Sequence, residues 1–154
     1  MYNMMFWKLK QQTVVKNAIL TIEGSNAISY LMNTVLGKDY TVTSVKTCTD
    51  AISNLQSDLN KDLIIMDISD SGSDNYELLE HIYSSSILKD IRTIVISDSA
   101  DESLKNKTFA LGASVFLTKP FDPIYLSHKV KDLIAADGKK IIRKRRNTFN
   151  LNIF

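Results

Sequence analysis

The sequence predicts an α/β fold, a doubly wound sheet of five parallel strands in the order 2-1-3-4-5 with helices on both faces. Three observations carry this reading. Short apolar runs alternate with segments whose apolar residues recur at helical spacing. Two of those runs, Leu63-Ile64-Ile65-Met66 and Val115-Phe116-Leu117, are uninterrupted, as in strands buried on both faces. They lead directly into Asp67 and, one residue further on, Thr118-Lys119. Parallel sheets place functional groups just past the carboxyl ends of their strands, so Asp67 and Lys119 are expected at one rim.

Ala18–Ile22 reads as the first strand, and Ile28, Leu31, Met32, Val35 and Leu36 recur at helical spacing before Gly37, a natural terminator. Residues 40–45 are rich in β-branched side chains and suit the second strand. A helix over 50–59 follows, with Ala51, Ile52, Leu55 and Leu59 on one face. The third strand covers 63–66. Loop 68–75 is dense in turn formers, and 76–83 carries Leu78, Leu79 and Ile82 at helical spacing. Residues 93–96 form the fourth strand, 102–111 a more polar helix closed by Gly112, and 115–117 the fifth strand. Asp122 caps the last helix, Pro123 sits in its first turn, and Ile124, Leu126, Val130, Leu133 and Ile134 form its buried stripe.

Bulk properties agree with one globular domain: 154 residues, 44% hydrophobic and 23% charged. Cys48 is the single cysteine, so no intrachain disulfide and no cysteine-based zinc cluster can form, which points to a reducing, cytoplasmic setting. Its expected role is that of a small, half-buried hydrophobe. His81 and His128 have no second histidine or cysteine at ligand spacing and are expected on solvent-facing helix surfaces. No stretch approaches the roughly 20 apolar residues of a membrane span.

Three regions follow: an arm over 1–16, a folded domain over 17–136 and a basic tail over 137–154. The arm is apolar but has no basic leader or small-residue cleavage site, so it reads as a segment packing on the domain or a partner. Residues 139–146 hold six basic groups and no acid; taking those six from the net +2 leaves −4 for the rest. Positive charge is thus confined to the linker-like tail after Gly138. Nucleic acid, an anionic membrane surface or an acidic protein are the partners such a tail attracts. Its end alternates Phe149, Leu151 and Ile153 with Asn150 and Asn152.

Over about residues 17–136 the chain resembles the receiver domain of two-component response regulators, a flavodoxin-like fold. Asp67 matches that family's phosphoacceptor aspartate, Ser97 its hydroxyl residue, Lys119 before Pro120 its lysine, and Phe116 its switch aromatic. Leu111-Gly112-Ala113 and Lys119-Pro120-Phe121-Asp122 match two further signatures. The residue types suit phosphoryl transfer: a carboxylate attacks phosphorus, an ammonium neutralises one phosphoryl oxygen and a hydroxyl hydrogen-bonds to another. The resemblance also implies a Mg²⁺ position at Glu23, Asp67 and Ser69, a Lys119-Pro120 peptide that is restrained and often cis, and partners comprising a sensor histidine kinase or phosphotransfer protein and a downstream signalling protein.

The departures from the family pattern bear on that chemistry. Two adjacent acids usually follow the first strand, whereas Glu23 is followed here by Gly24, which weakens the expected Mg²⁺ site. Asp98 stands after the hydroxyl residue, where the family is usually small, and would repel a phosphoryl group if it pointed inward. Ser71 and Asn75 replace the usual proline and glycine, which is expected to relax the loop after Asp67. Asp70 reads as a solvated loop acid that could also offer a substitute metal ligand.

The functional expectation is a single-domain response regulator or pseudo-receiver in a phosphorelay, a signalling protein rather than an enzyme. It would act through protein contacts around the fourth helix, fifth strand and last helix, with phosphorylation on Asp67. The alternative is a receiver-like module tethered to nucleic acid or membrane by its basic tail. A flavodoxin-like flavin or nucleotide enzyme is disfavoured, because Glu23-Gly24-Ser25-Asn26 is not a glycine-rich phosphate loop.

Overall fold

The structure, a computed structural model, describes residues 15–70 and 72–147, with side chains as far as residue 136. Five parallel strands, β1 (Ala18–Ile22), β2 (Thr41–Val45), β3 (Leu63–Asp67), β4 (Arg92–Ser97) and β5 (Val115–Thr118), pair in the order β2-β1-β3-β4-β5. Five helices connect or follow them: α1 (Asn26–Leu36), α2 (Cys48–Ser57), α3 (Asp74–Ser84), α4 (Glu102–Ala110) and α5 (Pro123–Asn147). This is the doubly wound architecture expected from the alternation of patterns.

Burial follows each strand's place in the sheet. The central strands β1, β3 and β4 are almost wholly buried, because helices cover both their faces. The edge strands β2 and β5 are half exposed. Two apolar layers result. Ile19, Leu63, Ile65, Ile94 and Ile96 pack against Met32 and Leu36 of α1 and Leu126, Val130 and Ile134 of α5. On the other face Leu20, Ile64, Met66 and Val95 meet Ala51 and Leu55 of α2, Leu78, Leu79 and Ile82 of α3, and Leu104 of α4.

Local signals set the helix starts. Ser25, Thr47, Ser73 and Asp101 each accept a hydrogen bond from a first-turn backbone N–H of α1 to α4, and Asp122 does so from Ile124 N at 2.8 Å. Gly112 closes α4 at φ 84°, a conformation that favours glycine. Gly37 ends α1 differently: its φ is −65°, but a Cβ there would come within 2.4 Å of the Asn33 carbonyl oxygen. Close approach, not left-handed backbone, explains that glycine.

Some side chains depart from the expected stripes. Ile124 is exposed, because it precedes Leu126 by two residues and faces away from the stripe Leu126, Val130 and Ile134. Ile52 is on the exposed margin of α2, and Leu59 lies beyond that helix's end at Ser57. His81 and His128 are exposed and Cys48 is half-buried, as expected. The linker expected after Gly138 is instead a continuation of α5 through Asn147. One glycine within a run of good helix formers is tolerated. Most of the arm (residues 1–14) and the alternating end over 149–153 lie outside the described residues.

Candidate functional site

Three strand ends converge on one ammonium group. Lys119 follows β5, and its backbone N–H donates to the Ser97 carbonyl at the end of β4. Its Nζ donates to Oδ2 of Asp67, the last residue of β3, at 2.9 Å. The same Nζ lies 3.1 Å from Oε2 of Glu23, the residue after β1. Ladder register explains the meeting, since Ile22 pairs with Met66 and so places Glu23 and Asp67 side by side at the carboxyl edge. The Lys119-Pro120 peptide is cis, in accord with the resemblance.

Glu23 is only 2% exposed and Ser97 is fully buried. One partly buried cation therefore faces two carboxylates, and the cluster carries a formal net negative charge. Burial alone would lower the Lys119 pKa, but the hydrogen bond to Asp67, the close contact with Glu23 and the charges of both carboxylates outweigh it and hold the pKa above the usual lysine value. Glu23 has a second task, as its Oε1 accepts from Ser25 N at 2.9 Å and folds the turn into α1. Ser97 Oγ accepts from Ser99 N at 3.1 Å, which orders the loop toward α4.

Two carboxylate oxygens here, Glu23 Oε2 and Asp67 Oδ1, are buried without a hydrogen-bond partner. For Glu23 Oε2 the contact with Lys119 is ionic but not aligned as a hydrogen bond. Hard, unsatisfied oxygens of this kind suit a Mg²⁺ ion in chemistry, though they fall short in number. Among the described residues no group of three or more His, Cys, Asp or Glu side chains is placed to hold a metal. The Gly24 position is open, since a Cβ there would meet nothing within 4 Å. The missing ligand is a matter of side chain rather than of space.

The remaining candidates are placed as follows. Ser69 is exposed and its hydroxyl donates to Asp70 at 3.4 Å, so its side chain does not join Glu23 and Asp67. Asp70 is exposed and folds its own loop, accepting from Gly72 N on Oδ1 and from the Ser73 hydroxyl on its carbonyl. Asp98 is exposed rather than turned inward, and bulk solvent screens its charge. Phe116 is half-buried against the layer beneath α2, α3 and α4.

Side-chain hydrogen bonds engage the described residues of the loop after Asp67. Asn75 Nδ2 donates to the Asp67 carbonyl at 2.6 Å, and Asp70 makes the turns that follow. Ser71 itself lies outside the described residues. In sequence Asn75 registers only as the loss of a glycine, which hides this contribution. A short amide in the first turn of a helix beside a strand end was the available signal. Cys48, the first residue of α2, lines a separate concavity of about 330 Å³ between α2 and α3 with Asp74, Glu77 and His81. Burial, then the charges of Asp74 and Glu77, raise its thiol pKa, which keeps it a poor nucleophile.

No helix among the described residues is long and apolar enough to cross a membrane. Comparison with known proteins matches residues 19–131 to the response regulator receiver domain. The chain is 30% identical over 118 residues to the transcriptional regulatory protein KdpE of Staphylococcus aureus, covering 76% of this chain and 49% of that protein. It is 29% identical over 106 residues to the two-component response regulator ORR5 of Oryza sativa subsp. japonica, covering 68% and 79% respectively. The chain thus spans about half or less of the first two curated relatives it matches. Among solved structures, the signal receiver domain of a signal transduction histidine kinase from Syntrophus aciditrophicus superposes with a TM-score of 0.71 at 25% identity, covering 79% of this chain and 92% of that one. With an acid, a hydroxyl and a lysine at the carboxyl edge of a 2-1-3-4-5 sheet and a match over most of its length, this chain belongs to the receiver-domain family of two-component response regulators.

Proposed function

We propose that Asp67 is the phosphoacceptor of this receiver domain, charged from a phosphohistidine on a sensor kinase or phosphotransfer protein. The observation that carries the reading is the asymmetry of its carboxylate: Oδ2 is held by Lys119 at 2.9 Å, while Oδ1 has no hydrogen-bond partner. An oxygen with unengaged lone pairs, on a carboxylate whose orientation is fixed, is suited to attack phosphorus. The P–O bond forms as the P–N bond to histidine breaks, and the leaving imidazole takes up a proton. Lys119 neutralises a phosphoryl oxygen and Ser97 offers its hydroxyl to another. Mg²⁺, held by Glu23 and Asp67 with the Ser69 backbone, would supply further charge neutralisation. Incubation with acetyl phosphate and Mg²⁺ should give a phosphoryl adduct by intact mass, absent from Asp67→Asn. No adduct, or one that survives Asp67→Asn, overturns the assignment.

Metal affinity in this reading is limited by ligand number. Gly24→Asp adds a carboxylate in open space and should tighten Mg²⁺ binding about tenfold, read by calorimetric titration. Equal affinity in the two proteins would refute the ligand-count argument.

The downstream contact is assigned to the surface of α4, β5 and α5, a reading supported by the exposed rings of Phe109 (41%) and Tyr125 (46%). Phe109→Ala and Tyr125→Ala should weaken partner binding about tenfold, whereas Asp67→Asn should change it less than about threefold. A partner assay with the opposite pattern would show that binding is governed by phosphorylation rather than by this surface.

A further inference from the structure

We infer that Asn75 is a positioning residue for phosphoryl transfer at Asp67, an inference that rests on Asp67 being the phosphoacceptor. The ladder between β1 and β3 ends with Ile22 opposite Met66, so on the β1 side Asp67 lies past the last pair, although on the other side it still pairs with Ile96 of β4. The donor to the Asp67 carbonyl comes from α3, where Asn75 Nδ2 lies at 2.6 Å. On the other side of the same peptide, Ile68 N donates to the Ile96 carbonyl of β4 at 2.9 Å. The peptide joining Asp67 to Ile68 is therefore held at both its C=O and its N–H, by different elements. The Ile68 side chain, wholly buried, fixes the next residue as well.

Holding that peptide restricts rotation about the Cα–C bond of Asp67, and with it the direction in which Cβ and the carboxylate leave the backbone. Transfer needs the attacking oxygen in line with the bond that breaks, and misplacement by about 1 Å can cost roughly 100-fold in rate. Lys119 fixes the carboxylate at its far end through Oδ2, and Asn75 fixes it at its root. Asn75 is itself placed by the α3 cap, because Ser73 Oγ accepts from Tyr76 N and sets the first turn. Proline restrains a loop by fixing φ; here a side-chain amide supplies a restraint.

The test uses the full chain and the near-isosteric, neutral variant Asn75→Leu, which removes the donor without adding charge. Phosphorylation by acetyl phosphate should slow about tenfold. By NMR hydrogen exchange the Ile68 amide should exchange about tenfold faster. Asp62→Ala, which removes the hydrogen bond from Ala18 N at the amino ends of β1 and β3, opposite the site, serves as a destabilised control and should keep the wild-type phosphorylation rate. A wild-type rate in Asn75→Leu, or unchanged Ile68 exchange, overturns the role of Asn75 alone. A slowed rate in Asp62→Ala as well reduces the effect to general stability and overturns it too. A wild-type protein that accepts no phosphoryl group overturns the phosphoacceptor reading, and the positioning role with it.

Discussion

Lys119 is the residue on which the site's electrostatics turn, because its ammonium is the cation facing both Glu23 and Asp67. Its pKa is raised on folding, so its contribution to stability is full below the unfolded lysine value of 10.5 and is lost as pH rises through the folded value. Lys119→Met leaves two neighbouring carboxylates, one of them buried, without a counter-ion. That should cost about 3 kcal/mol at pH 7. Urea unfolding of the two proteins at pH 7 checks it. Asp67, Ser97 and Lys119 were legible because each sits at the end of an apolar run. The engagement of Glu23 with both Lys119 and Ser25 was not, since it depends on a ladder register and on one methylene of reach. Asn75 escaped for a related reason: its partner is a backbone carbonyl eight residues away, and no side-chain pattern records backbone acceptors.

Strand positions were readable at the level of elements because buried parallel strands are nearly continuous apolar runs, and the structure lengthens several by only a residue or two. Helix ends were less so. The second helix begins at Cys48, earlier than its apolar stripe suggests, because Thr47 caps it through Asp50 N. The start of β3 carries a clamp outside any hydropathy pattern: Asp62 Oδ2 accepts from Ala18 N at 2.7 Å, and Asp62 N donates back to the Ala18 carbonyl. Helix α4 is thinly anchored, since Leu104 is its one large buried apolar side chain and its start depends on Asp101. Asp101→Ala should cost about 1 kcal/mol in chemical unfolding. The amides of α4 should also exchange faster than those of α3, which buries three large side chains, in a hydrogen-exchange experiment.

Charge is unevenly distributed over the whole molecule, with the six basic groups of 139–146 set against a net −4 elsewhere. Among the residues whose side chains are described, Ile134 is the last of α5 in the apolar layer. Deleting residues 139–154, which leaves every described core residue in place, should shift the thermal midpoint by less than about 2 °C by calorimetry. The same deletion should abolish any binding to DNA or anionic vesicles that falls steeply with salt. Doubly wound topology also gives the ammonium of Lys119 a mechanical meaning. The loops that supply Glu23 and Lys119 lead into α1 and α5 on one face of the sheet, whereas the loop after Asp67 leads into α3 on the other. A single charged atom thus ties together loops feeding opposite layers. Anything that draws it toward one carboxylate and away from the other transmits tension to both sides of the molecule at once.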